Sequence, residues 1–171
     1  MTNYSGTATI DKAVITAITG VTLSNKTYNG NTNASFDLTN ASFTGKITGD
    51  VLTLSGGVGG FASKDVGTNI NVTVSNMTLG GADAGNYIVT GGTPSFSGTA
   101  NILKADLTLT AVAQTKTYDG NTNVSNSAGF TVTGIAVNES IASVVLAYDT
   151  KNVGAANKTI NISGAVLGAN T

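Results

Sequence analysis

Residues 26–33 have the sequence Lys-Thr-Tyr-Asn-Gly-Asn-Thr-Asn, and residues 116–123 repeat it with Asp in place of the first Asn. The tyrosines of the two copies lie 90 positions apart. In each copy Asn or Asp precedes Gly, a pair that tolerates positive φ and is typical of tight turns. The sequence therefore predicts the same turn twice, and its residues are Tyr28, Asn29, Gly30, Tyr118, Asp119 and Gly120.

Other blocks recur in the same order at nearly the same spacing. Residues 5–10, Ser-Gly-Thr-Ala-Thr-Ile, return 92 positions later as Ser-Gly-Thr-Ala-Asn-Ile. The block at residues 64–67 matches one 87 positions later, and Ile-Asn-Val at residues 70–72 matches Ile-Asn-Ile 90 positions later. A fixed period of this size indicates a tandem repeat of about 90 residues.

The phase of the repeat divides the chain into three parts. Residues 1–10 correspond to the closing strand of a preceding module, and residues 11–102 form one complete module. Residues 103–171 form a second module in which the counterpart of the closing strand is lacking. Two short joints, at residues 11–13 and 103–105, lead from one module into the next and contain no Gly.

Within each module, apolar and polar residues alternate as in half-buried strands. Leu107 and Leu109 are separated by Thr108, and Val72 and Val74 by Thr73. A period of two predicts strands, and many short strands joined by turns predict a sandwich. We therefore expect an all-β fold made of tandem immunoglobulin-like β-sandwich repeats of about 90 residues. In such a fold the tyrosine at position 87 would pin a corner of the sandwich.

The composition argues against most kinds of chemistry. The chain has no His, Cys or Arg, and only 10% of its residues are charged, against roughly 25% in an average soluble domain. The carboxylates are scattered, so no pair suggests an acid–base catalyst. A net charge of −1 offers no field for nucleic acid, and no apolar run approaches the roughly 20 residues that span a bilayer. We expect no enzyme, no cofactor, no nucleic-acid partner and no membrane insertion.

Calcium is the one metal for which the sequence offers a candidate site. Asp119, Asn121 and Asn123 alternate as oxygen ligands do at the start of a calcium loop. No acidic residue follows near the twelfth position of such a loop, and the first copy has Asn29 where the second has Asp119. A hydrogen-bonded Asx turn is therefore the preferred interpretation, and no metal site is predicted.

These blocks resemble the YDG/MBG-type repeats of bacterial extracellular adhesins, including filamentous-haemagglutinin-like proteins. The resemblance rests on the two turn motifs, on Lys-Asp-Val-Gly at residues 64–67 and on Leu-Gly-Gly-Ala-Asp-Ala-Gly-Asn-Tyr at residues 79–87. It implies a secreted, non-catalytic stalk unit at the bacterial cell surface, and it assigns no catalytic residue and no ligand. Asn29 departs from the name-giving motif, so that carboxylate is not required in every copy.

Two functions from different classes remain open. The first is a structural stalk or fibre-forming segment of a surface adhesin, and the second is an adhesin module that binds a surface glycan or protein. Binding surfaces usually present aromatic or charged anchors, and only 6% of the residues here are aromatic. The structural role is therefore preferred.

The repeat phase also predicts a partner. Unpaired sheet edges recruit strands from other chains, so the second module would accept residues 4–10 of another copy or an adjoining repeat. Within that assembly strand Tyr4, Ala8 and Ile10 carry the matching phase. A head-to-tail contact does not close on itself and would build filaments. The alternative is that the boundary of the chain is arbitrary.

Overall fold

The structure is a computed structural model that describes residues 5–155 and 157–168. Strands account for all its regular elements except one turn of 3-10 helix at Ala84–Asn86. Among the residues described, no helix is long and apolar enough to cross a membrane. The all-β prediction is confirmed, and several small sheets are consistent with a sandwich. The immunoglobulin-like arrangement stays a prediction.

The chain forms two compact units. The first comprises the described residues up to Lys26 together with Thr32–Leu103, and the second comprises Thr27–Asn31 together with the described residues from Lys104 onward. Along the part of the chain occupied by the first unit, the strands are β1 Ala13–Ile15, β2 Ala17–Thr19, β3 Thr22–Leu23, β4 Lys26–Thr27, β5 Asn33–Ala34, β6 Phe36–Asp37, β7 Ser42–Thr44, β8 Thr53–Phe61, β9 Gly67–Gly80, β10 Tyr87–Val89 and β11 Phe96–Leu103.

The largest sheet has the strand order β4-β11-β9-β8-β5. The long β8–β9 pair is antiparallel, and β11 runs antiparallel along the other edge of β9. Val72 of β9 therefore lies between Phe61 of β8 and Gly98 of β11. The remaining strands form three pairs, of which β1–β10 is parallel and β2–β7 and β3–β6 are antiparallel.

The core of the first unit follows from the alternation of its strands. Val72 and Val74 are buried and Thr73 is exposed, as the sequence pattern predicts. Burial of such side chains contributes roughly 1.5–3 kcal/mol each, which is the main favourable term for a unit of this size. The central cluster of buried side chains comprises Ile15, Ile18, Val21, Leu52, Val74, Met77 and Tyr87.

The second unit contains four strands within its described residues: β12 Thr108–Ala111, β13 Phe130–Thr133, β14 Ile141–Tyr148 and β15 Ile160–Leu167. They form two antiparallel pairs, β12–β13 and β14–β15. Leu107 and Leu109 are half-buried and the intervening Thr108 is exposed, so the predicted alternation is confirmed. An isolated bridge between Asn123 and Ala147 repeats the Asn33–Gly60 pairing of β5 with β8.

The pairing within each unit corrects the alignment of the two repeats. Val72 lies opposite Phe61, and Ile160 lies opposite Tyr148, the residue 87 positions after Phe61. Val72 is therefore equivalent to Ile160, 88 positions later, and the predicted match of residues 70–72 with residues 160–162 is wrong by two residues. Side chains alternate with period two along a strand, so a shift of two keeps every apolar residue on its face. The sequence pattern could not reveal the error.

Candidate functional site

The Tyr-Asp-Gly turn of the second unit closes around a lysine ammonium. Lys116 Nζ lies 2.7 Å from Asp119 Oδ1 and donates hydrogen bonds to Asn121 O, at 3.0 Å, and Asn123 O, at 2.9 Å. It also donates to Asn121 Oδ1 at 3.0 Å and lies 5.8 Å from the centre of the Tyr148 ring. The turn is thus tied to the residue that begins the motif, Lys116, by a cation that several oxygen atoms share.

The first repeat has the same arrangement without the carboxylate. Lys26 Nζ donates to Asn33 O at 3.2 Å and lies 5.6 Å from the centre of the Phe61 ring. Asn29 Oδ1 accepts from the N–H of Asn31 at 3.4 Å, as Asp119 Oδ1 accepts from that of Asn121 at 3.2 Å. These contacts are those of the predicted Asx turn.

The other turn residues have separate environments. Gly30 and Gly120 have φ of 78° and 80°, in the left-handed region that the Asx-Gly pair predicts. Tyr28 donates a hydrogen bond from its hydroxyl to the carboxylate of Glu139 within the second unit. The ring of Tyr118 is 59% exposed.

The candidate calcium ligands surround the amine of Lys116. The hydrogen bond from Lys116, together with the N–H of Asn121, holds the pKa of Asp119 below its usual value. A calcium ion would have to displace the ammonium, because both cations use the same oxygens. Within the described ranges, no group of three or more acidic, His or Cys side chains could hold a metal ion.

Tyr87 ties a loop of the first unit to β10 through its hydroxyl. The corner role expected of it in an immunoglobulin-like sandwich stays a prediction. The ring of Tyr87 is buried, and its hydroxyl donates to Asp50 Oδ2 at 2.6 Å while accepting from the N–H of Ile47 at 2.9 Å. Asp83 supports the same loop, since its carboxylate accepts from the N–H of Val51 at 2.7 Å. Desolvation of the hydroxyl, and then its bond to Asp50, raise the pKa of Tyr87.

The predicted assembly strand lies on the surface. Residues 5–12 belong to no strand and are exposed along their whole length. The side chain of Ile10 is 97% exposed, and Ala8 is exposed as well. Tyr4 lies outside the described residues.

A groove lies beside the start of β15 in the second unit. In the described part of the chain, β15 pairs with β14 on one edge and with no strand on the other. The groove has a volume of about 840 Å³, and its lining includes Val112, Gln114, Lys116, Tyr148, Val153 and Ile160. The sequence predicted an acceptor edge but not these lining residues, because they come together only through long-range pairing.

In the first unit the equivalent position holds the closing strand β11. That strand lies between β4, which begins at Lys26, and β9, which contains Val72. Lys116 and Ile160 are the equivalents of these two residues, and both line the groove. The groove of the second unit is therefore the place that a closing strand occupies in the first.

Comparison with known proteins identifies the repeats. The family model described as YDG domain matches residues 4–95 and again residues 103–171, which is most of the chain. The chain has no significant match among curated proteins and none among solved structures. The first match stops just before β11, so the strand that closes the first unit lies beyond the matched repeat. On this evidence the chain belongs to the YDG domain family and carries two YDG domains in tandem.

Proposed function

We propose that this chain is a non-catalytic, load-bearing segment of a secreted bacterial surface adhesin, and that its YDG domains are spacer units of a stalk or fibre outside the cell. The observation that carries the proposal is the way the first unit holds its two ends. Its opening strand β1 pairs in parallel with β10, and the strand that follows, β11, is paired along β9.

The pairing of the end strands supports a load-bearing role. Ala13 lies opposite Tyr87 and Ile15 opposite Val89, and the N–H of Thr90 donates to Ile15 O at 2.9 Å. A load directed along these strands acts on several backbone hydrogen bonds at once, whereas a load across a strand end breaks them one by one. Each bond contributes only about 0.5–1.5 kcal/mol, so simultaneous loading is what provides mechanical strength.

The interior chemistry also supports a structural role. In the residues that the structure describes, no polar or charged side chain is buried, and the core consists of aliphatic and aromatic groups. Catalytic sites hold groups with perturbed pKa values in clefts. The groups with shifted pKa values here are Lys26, Asp37, Tyr87 and Asp119. Lys26 and Asp119 belong to the two turn motifs, and Tyr87 belongs to the contact with the loop at residues 47–50.

Pulling single molecules by two chosen attachment points tests the proposal. The chain has no Cys, so thiols introduced at exposed positions are unique handles. One variant carries Asp11→Cys with Lys104→Cys and loads the unit through its ends. The matched variant carries Asn40→Cys with Lys104→Cys and leaves the β1–β10 pair out of the loaded path.

We expect the end-to-end pair of handles to give the higher unfolding force. Equal forces for the two pairs would contradict a load-bearing role of the end strands.

The ligand-binding alternative is tested by a screen against surface glycans and proteins. Specific, saturable binding in that screen would favour an adhesive module over a spacer.

A further inference from the structure

We propose that the groove of the second unit is a strand-binding site, and that its occupant is the segment of residues 5–10 from a second copy of this chain, added antiparallel to β15. The proposal deepens the structural role proposed above and rests on it, since it says how one stalk segment joins the next. Strand addition to a free sheet edge is a general mode of recognition in which backbone bonds give affinity and side-chain pockets give specificity.

The pairing of β11 in the first unit fixes the register of the added strand. Gly98 of β11 lies opposite Val72 of β9. In the repeat, Gly6 occupies the place of Gly98, and Ile160 occupies the place of Val72. Gly6 of one chain therefore lies opposite Ile160 of the other. A slip by one residue would turn every inward side chain to solvent, so the register is strongly specified.

The inward side chains of β11 show what the groove accepts. Ala100 is buried and Ile102 is only 1% exposed. Ala8 and Ile10 stand at the same places in the added strand, and Ile10 is 97% exposed on its own chain. Insertion would transfer an exposed isoleucine into an apolar site, which is the usual driving force for association. Ile10 is thus the anchor of the segment.

The groove has apolar surface that the added strand would cover. Val72 is 1% exposed beside β11, whereas its equivalent Ile160 is only half-buried. Val153, on the rim of the groove, is 84% exposed, whereas its equivalent Val66 is 45% exposed in the first unit. An added strand would lie beside Ile160 as β11 lies beside Val72, and it would cover part of Val153.

The place of Ala8 in the groove can be tested with a charge. Ala100 of β11 is 6% exposed, and Ala8 stands at the same place in the added strand. On its own chain Ala8 is exposed. Ala8→Asp should therefore leave the free chain folded as before and bury an unpaired carboxylate only when the strand is inserted.

The test uses the full chain and three single variants. Ala8→Asp puts a carboxylate into the groove, Ile10→Ser removes the anchor, and Thr7→Val is the matched control because its equivalent, Thr99, is exposed in β11. Sedimentation velocity over a range of concentrations measures head-to-tail assembly of each protein. We expect the concentration at which half of the protein is assembled to rise about tenfold or more for Ala8→Asp and on the order of a hundredfold for Ile10→Ser, with Thr7→Val close to wild type.

A second measurement locates the contact. Hydrogen exchange of the assembled wild type should show new protection at residues 160–162 of β15 and at residues 5–10. A peptide of residues 4–12 in molar excess should dissociate the assemblies, and the same peptide with Ala8→Asp should not.

Three results would overturn the strand-binding site. They are a wild-type chain that stays monomeric at all concentrations, assembly that Ala8→Asp and Ile10→Ser leave unchanged, and protection that appears away from β15. None of them alters the unfolding-force comparison between the two pairs of handles. A failure of the groove assignment can therefore be told apart from a failure of the load-bearing role.

Discussion

Two glycines of one loop provide a matched pair that tests how closely the first unit is packed. Gly45 and Gly49 both have φ of 98°, a conformation that L side chains rarely adopt. A Cβ on Gly45 would lie 2.2 Å from the carbonyl oxygen of Val14, whereas a Cβ on Gly49 would meet nothing within 4 Å. Gly45→Ala and Gly49→Ala therefore share the conformational strain and differ only in the steric contact.

The expected costs follow from these two terms. At Gly49 the left-handed conformation costs about 1–2 kcal/mol, and the reduced freedom of the unfolded chain returns about 0.4–1 kcal/mol, so the net loss is about 1 kcal/mol. At Gly45 the Cβ and the Val14 oxygen must also separate by roughly 0.8 Å to reach 3.0 Å, below which real Cβ contacts essentially never fall. Overpacking of this kind adds about 1–3 kcal/mol. Gly45→Ala should thus lower the free energy of unfolding of the first unit by about 3 kcal/mol.

Urea and thermal unfolding followed by far-UV circular dichroism measure both variants under identical conditions. At about 4–8 °C per kcal/mol for a unit of this size, the melting temperature of Gly45→Ala should lie about 10 °C below that of Gly49→Ala. Hydrogen exchange at β2 and β7 assigns the transition to the first unit. Equal melting temperatures would refute the close approach of residue 45 to the chain before β2.

Three further predictions concern the two tyrosine-containing features and the secondary structure. Tyr87→Phe should speed amide exchange at residues 47–50, because the hydroxyl that bonds to Asp50 is removed. The pKa of Tyr87 is raised in the folded chain, so the stabilisation by this bond is present below about pH 10 and is lost as the pH rises through the pKa of the folded state. The exchange rates of wild type and variant should therefore converge in alkali. Gly120→Val should lower the urea midpoint of unfolding more than Asp119→Asn does, because Gly120 has positive φ, and equal, mild decreases would contradict the turn. The pKa of Asp119 is lowered in the folded chain, so its ion pair with Lys116 stabilises the fold at neutral pH, and this stabilisation is lost as acid protonates the carboxylate. The urea midpoints of wild type and Asp119→Asn should therefore converge at low pH. Far-UV circular dichroism should show β structure with little helix, and a dominant helical spectrum would contradict the fold.

The features that the sequence predicts well are those set by local stereochemistry. The Asx-Gly pair requires positive φ at Gly120 whatever surrounds it, and the alternation of Val72 and Val74 reflects the pleat of one strand. Local rules of this kind do not depend on which strands pair. The contacts of Tyr87 do, because its hydroxyl bonds to Ile47 and Asp50, which lie 40 and 37 residues earlier in the chain.

The features that escaped prediction depend on pairing across the chain. The equivalence of Val72 with Ile160 needs the partners Phe61 and Tyr148, since alternation alone is unchanged by a shift of two. The ammonium of Lys116 reaches Asn123 only once the turn has closed, so the spacing of Asp119, Asn121 and Asn123 could not reveal the lysine that these residues surround.

The offset between the family repeat and the folded unit has a consequence for the history of such proteins. The matched repeat ends at residue 95, yet the first unit folds with β11, and residues 5–10 nearly duplicate residues 97–102. If every repeat begins with an interchangeable strand that completes the domain before it, unequal recombination between gene copies adds or deletes whole repeats and leaves each interior domain with a closing strand. The number of repeats can then change by one at a time without exposing the edge of an interior sheet. Selection can then act on the length of the protein alone.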